Sequence, residues 1–176
     1  MGFHEASVTQ IVAAAGVGQG TFYLYFAHKR EIFVAVVQYL ARALREEIGA
    51  GIQGAKTREE IERQGFRAFF RFVEKHPLSY RIVRQAEFVD EDAFRSYYRN
   101  LARGYRRGLE KAMAEGEFRA LDAEALGYAL MGIADFIGMR YVLWHDPGTV
   151  PEAVTEDLMR FILGGLRRPD APEGPS

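Results

Sequence analysis

Cysteine is absent from this chain of 176 residues, which excludes disulfide cross-links, thiolate redox sensing and cysteine-held metal. An excess of one charge is also lacking. The 23 Lys and Arg stand against 24 Asp and Glu for a formal net charge of -1, so no global field draws the protein to a polyanion and any nucleic-acid contact must come from a local patch. Neither a secretory leader nor an uninterrupted apolar run of about 18 residues is evident, so we expect a soluble, cytoplasmic protein with no membrane partner. His4, His28, His76 and His145 are scattered and match no metal spacing. No Ser-His-Asp order, phosphate loop or carboxylate pair stands out, so no catalytic residue, metal or cofactor is assigned and an enzyme is the poor hypothesis. Apolar matter is plentiful: 48% of residues are hydrophobic, including thirteen Phe and nine Tyr, enough for a sizeable core.

The chain is organised around Ser7 to Phe33. Ser7 can cap a helix whose apolar positions Val8, Ile11, Val12 and Ala15 recur at helical spacing, and Gly16 can turn out of it at no steric cost. A second short helix is predicted from Gln19 to Tyr25, with Phe22 and Phe26 inward and Gln19, Thr21, Tyr23, Leu24 and Tyr25 largely outside. That is the build of a helix-turn-helix, whose second helix enters the major groove of DNA.

Ile11, Ala14, Ala15, Gly16 and Val17, then Gly20, Thr21, Phe22, Tyr23, Tyr25 and Phe26, then Lys29 and Ile32, together resemble the signature of the TetR family of one-component transcriptional regulators. The resemblance implies that Gln19, Thr21 and Leu24 sit where the family reads base edges, and Tyr23, Tyr25 and Lys29 where it holds phosphates. The chemistry suits those roles, since glutamine can pair bidentately with adenine, the threonine methyl can contact thymine, and hydroxyls or an ammonium can grip phosphate oxygens. Gly18 departs from the family's usual Ser or Thr cap. A helix that the family carries before Gly2-Phe3 has no counterpart here, from which we expect the natural start to lie upstream; a reduced DNA-binding unit is the alternative.

Beyond the recognition element the pattern predicts only helices. A long one runs from about Lys29 to Ile48, and Gly49 to Lys56 reads as a loop and boundary. Thr57 with Glu60 forms a capping box for a helix ending before His76-Pro77, followed by helices over Leu78 to Phe88, Asp90 to Ala114, Asp122 to His145 and Pro151 to Leu166. The expected fold is all-α: a helix-turn-helix DNA-binding head over 1–48, joined by the long helix to a helical-bundle ligand-binding and dimerisation body over 49–168, with a disordered tail over 169–176.

The helix from Asp122 to His145 is apolar all round, as expected where one side faces a core and another a second subunit. With the stripe on the last helix and Gly164-Gly165, it predicts a two-fold homodimer through Leu130, Ile137, Tyr141, Leu158 and Ile162, which also matches the family; burial within one protomer is the alternative. Phe66, Phe69, Phe70, Tyr98, Tyr105, Met131, Phe136 and Met139 could wall a pocket for a small apolar or amphipathic effector, although aromatics at helical spacing also build ordinary cores. Arginines 81, 84, 95, 99, 103, 106 and 107 could serve acidic ligand groups such as the phosphates of an acyl-coenzyme A, or form a solvated face with Glu87, Glu91 and Glu110. The expected function is that of a ligand-responsive regulator, a repressor on a pseudo-palindromic operator in double-stranded DNA. The competing expectation is a dimeric helical ligand-binding protein that has lost DNA binding.

Overall fold

The structure is a computed structural model that describes residues 2–144 and 148–167. Among these, eight α-helices and no strand are found: α1 (Val8–Ala15), α2 (Gln19–Tyr25), α3 (Lys29–Gly51), α4 (Arg58–Lys75), α5 (Leu78–Val89), α6 (Glu91–Ala114), α7 (Ala123–Gly138) and α8 (Glu152–Leu166). The all-α expectation holds. Helix α3 continues past Ile48 to Gly51, because the backbone bonding persists into Ile52, whose N–H donates to Ile48 at 3.0 Å. Helix α7 ends at Gly138 and continues as one wider π turn, Met139–Leu143, closed by the Trp144 N–H on the Met139 carbonyl at 3.2 Å. His145, Asp146 and Pro147, expected to end and break that helix, and the tail over 169–176 lie outside the described residues. From Ala123 to Leu143 the chain is long and apolar enough to cross a membrane by length and composition alone, a test that core helices also pass.

The helix starts follow from local hydrogen-bond supply. Ser7 Oγ accepts from the Gln10 N–H while the Gln10 side chain accepts from the Ser7 N–H, and Thr57 and Glu60 repeat the arrangement at α4. Asp122 accepts from the N–H groups of Glu124 and Ala125 at 2.9 and 2.8 Å. Gly16, at φ 68°, takes the left-handed conformation that ends α1. Gly18 stands at the start of α2 with no side-chain cap, as its lack of a side chain requires.

The helices fall into two compact units, Met1–Ala43 with Pro77–Asn100, and Leu44–His76 with the chain from Leu101 onwards. Contact therefore groups α5 and the first part of α6 with the N-terminal helices. In this first unit Val12 and Phe22 are buried between α1 and α2, and Val37, Ala86 and Ala93 pack together with Phe33, Phe94 and Tyr97 around them. Asp90 caps α6 by accepting from the Ala93 N–H at 2.9 Å and pairs through its other oxygen with Arg30 Nε of α3, also at 2.9 Å.

The second unit has the larger core: Phe66 and Phe70 of α4, Leu109 of α6, Leu130 and Ala134 of α7, and Met159, Ile162, Leu163 and Leu166 of α8, with Phe118 from the preceding loop. An ion-pair ladder joins α4 to α8, in which Arg67 reaches Glu152 and Glu156 at 2.5 Å each and Arg63 reaches Glu156 at 2.8 Å. Within this body lies a charged cluster. The Glu62 carboxylate, 1% exposed, accepts from Arg58 Nη2 at 2.6 Å and Nε at 2.8 Å, and from the Tyr105 hydroxyl. A Cβ at Gly108 would overlap the Arg58 guanidinium, so the glycine leaves room for that group beside α6.

Burial first, and the Glu62 carboxylate second, push the Tyr105 hydroxyl well above its usual range. A tyrosine whose folded value is raised stabilises the protein fully below the unfolded value, near pH 10, and that stabilisation is lost as pH rises from there through the folded value. Wild-type stability is thus expected to fall between about pH 9 and about pH 11 more steeply than that of Tyr105→Phe. Urea unfolding at both pH values checks this, and equal slopes would remove the assignment.

Candidate nucleic-acid interface

Helix α2 has one side buried and the rest free. Phe22 is buried and packs on Phe26 with ring centroids 5.6 Å apart, while Gln19, Thr21, Tyr23, Leu24 and Tyr25 are all exposed. Leu24 is 81% and Tyr25 74% exposed, which is unusual for residues of that size unless they serve a partner. The spacing of Phe22 and Phe26 dictates this outcome, since burying one stripe of so short a helix leaves every other position outside. A glutamine amide, a threonine, a leucine and two phenols thus share one protruding helix, a set able to contact base edges and phosphate oxygens.

Lys29 is placed differently from the other five. It opens α3, is half-buried, and its ammonium donates to the backbone carbonyls of Phe3 at 2.6 Å and Ala6 at 2.7 Å, over the face of the Phe3 ring. Two of its three N–H groups are occupied, so its geometry departs from the free ammonium expected at a phosphate contact. The resemblance suggested phosphate; the carbonyls that hold it come from a turn whose fold the sequence pattern did not show.

The expected effector wall is divided. Phe66, Phe70 and Met139 are buried, Phe69 and Tyr105 border the second unit's core, and Met131 is half-buried. Tyr98 belongs to the first unit, ringed by Phe94 and Tyr97. Phe136, at 62% exposure, lies on the surface of the protomer.

The residues expected at an interface lie as follows in the single protomer. Leu130 and Ile162 are 3% and 4% exposed inside the protomer core, and Ile137 and Leu158 pack against it, with Tyr141 half-buried. The reason is rotational: a helix apolar on every side gives no signal as to which stripe turns inward. The exposed apolar face of α7 and α8 instead carries Tyr128, Gly132 and Phe136 at intervals of one turn, with Phe161, Gly164 and Gly165. Gly164 and Gly165, already read as allowing close approach, lie on this exposed side of α8.

Comparison with known proteins agrees with this geometry. Residues 1–36 match the family described as bacterial regulatory proteins, tetR family. The HTH-type transcriptional activator FasR of Mycolicibacterium smegmatis is 23% identical over 166 residues, covering 94% of this chain and 75% of its own length. The fatty acid metabolism regulator protein of Bacillus subtilis is 27% identical over 172 residues, covering 94% of this chain and 87% of its own. Among solved structures, the transcriptional regulator FadR from Bacillus subtilis in complex with stearoyl-CoA superposes with a TM-score of 0.82 at 20% identity, over 93% of this chain and 90% of that one. The family match is confined to residues 1–36, and over the rest of the chain the likeness to the solved structure is one of fold.

Proposed function

We propose that the protein is a homodimeric repressor that binds a pseudo-palindromic operator through α2 and is released by an amphipathic effector of the long-chain acyl-thioester class. The observation that carries the DNA-binding part is the protruding α2, with Leu24 and Tyr25 largely exposed beside Gln19, Thr21 and Tyr23. Two copies related by a two-fold axis would place their α2 helices in successive major grooves about 34–36 Å apart. The exposed faces of α7 and α8 supply the self-complementary surface, two helices from each copy. The effector class is supported by the relatives that regulate fatty acid metabolism and by the neighbour in complex with stearoyl-CoA. Such a ligand acts only by binding the DNA-incompetent arrangement more tightly.

The test begins with mass spectrometry of any ligand released from purified protein. Stearoyl-CoA is then titrated into the complex with a duplex from the region upstream of its gene. Release of the DNA is expected; a complex that persists at saturation removes the acyl-thioester class, and a protein that retains no duplex leaves the ligand-binding alternative in place. Gln19→Ala is expected to relax sequence preference at one base pair by about 1–3 kcal/mol, roughly 5- to 150-fold, with little change on unrelated DNA. Anisotropy titrations across single-base operator variants read this directly.

A further inference from the structure

The Gly2–Ala6 segment forms a tight turn, with the Ala6 N–H on the Gly2 carbonyl at 3.1 Å, and it leads directly into Ser7, the cap of α1. This turn is held from several sides. The Lys29 ammonium bonds the carbonyls of Phe3 and Ala6 at 2.6 and 2.7 Å and lies 4.4 Å from the centre of the Phe3 ring. The Phe3 N–H donates to Gln85 Oε1 of α5 at 2.7 Å, and the Phe3 ring meets Phe33 of α3 edge-on at 5.0 Å. We infer that Lys29 is a positioning residue for DNA reading: its ammonium pins this turn to the start of α3 and so fixes where α1, and the α2 that packs on it, are held.

Two features separate this role from that of a phosphate contact. A phosphate-binding lysine keeps its ammonium in solvent on a flexible stem, whereas this one is half-buried, with two of its N–H groups on carbonyls and its charge over a ring face. The bracket is also shared, because Gln85 secures the same residue from a different helix without any charge. Removing either tether therefore loosens one turn, and only Lys29 also removes a cation.

The functional arm of this inference rests on the repressor reading; the structural arm does not. Lys29→Met keeps the apolar stem and removes the donors, and Gln85→Leu removes the second tether should the first variant fold poorly. Amide hydrogen exchange is measured on the full-length chain, alongside binding to the operator duplex and to unrelated DNA across a range of salt. Lys29→Met is expected to raise exchange at least tenfold within residues 2–12, leave the α4–α8 ladder region unchanged, and weaken operator binding at least tenfold more than binding to unrelated DNA. The slope of log affinity on log salt should match wild type. Unchanged exchange in residues 2–12 overturns the inference, as does a slope reduced by about 0.9 with equal losses on both DNAs, the mark of one lost phosphate contact. A wild-type protein that binds no operator overturns the repressor reading instead, and the exchange arm still decides whether Lys29 positions the turn.

Discussion

Glu62→Ala is expected to cost the protein about 3–5 kcal/mol, a large part of the roughly 5–15 kcal/mol that holds a typical domain folded. Glu62 is fully buried and its oxygens satisfy the Arg58 guanidinium and the Tyr105 hydroxyl, so removing it strands a buried cation and an unpaired phenol together. Arg58 has little means of escape. It is 8% exposed, its own N–H is bound by Glu117 Oε2 at 2.6 Å, and its guanidinium lies against α6 at Gly108. The pair itself need not be strongly stabilising, because burying two charges costs nearly as much as their attraction returns. The double replacement Arg58→Met with Glu62→Leu should therefore recover most of the loss, and urea unfolding of the three proteins measures both effects. A single Glu62→Ala loss under about 1 kcal/mol would show that water reaches Arg58 and that the cluster is not the sealed unit described.

The second large effect is expected at the exposed face of α7 and α8. In the proposed homodimer, Phe136→Asp combined with Phe161→Asp should give a folded monomer, raising the dissociation constant by at least about a thousandfold, or some 4 kcal/mol. Phe136 and Phe161 are 62% and 74% exposed in the protomer, so the new carboxylates are tolerated there and penalised only where a second chain covers them. Leu130→Asp provides the contrast. That residue is 3% exposed, so its replacement should unfold the body and not merely dissociate it. Sedimentation and circular dichroism distinguish the outcomes, and a double variant that stays dimeric would move the interface elsewhere.

These two expectations mark where the sequence was legible and where it was not. Caps and turns could be read because their chemistry is local: Ser7, Thr57, Asp122 and Gly16 each act within a few residues of their own position. The exposed side of α2 could be read for the same reason, since Phe22 and Phe26 leave only one way to turn a short helix. Glu62 could not. Arg58 and Glu62 are four residues apart, a spacing common to solvated pairs, and only in the fold does α6 bring Tyr105 and Gly108 over them. Leu130 and Phe136 are equally apolar and share a helix, so only the rotation of α7 against its core separates core from surface. Lys29 was assigned by resemblance, and the carbonyls that occupy it belong to residues 23 and 26 positions away.

The aromatic face of α7 and α8 has a consequence at the level of the cell's inventory of this protein. If only paired copies grip an operator, then below the pairing threshold occupancy follows the square of protomer abundance, so halving the supply cuts occupancy about fourfold. A face built from Tyr128, Phe136 and Phe161 would in that way give gene control a dosage dependence that acts before any effector binds.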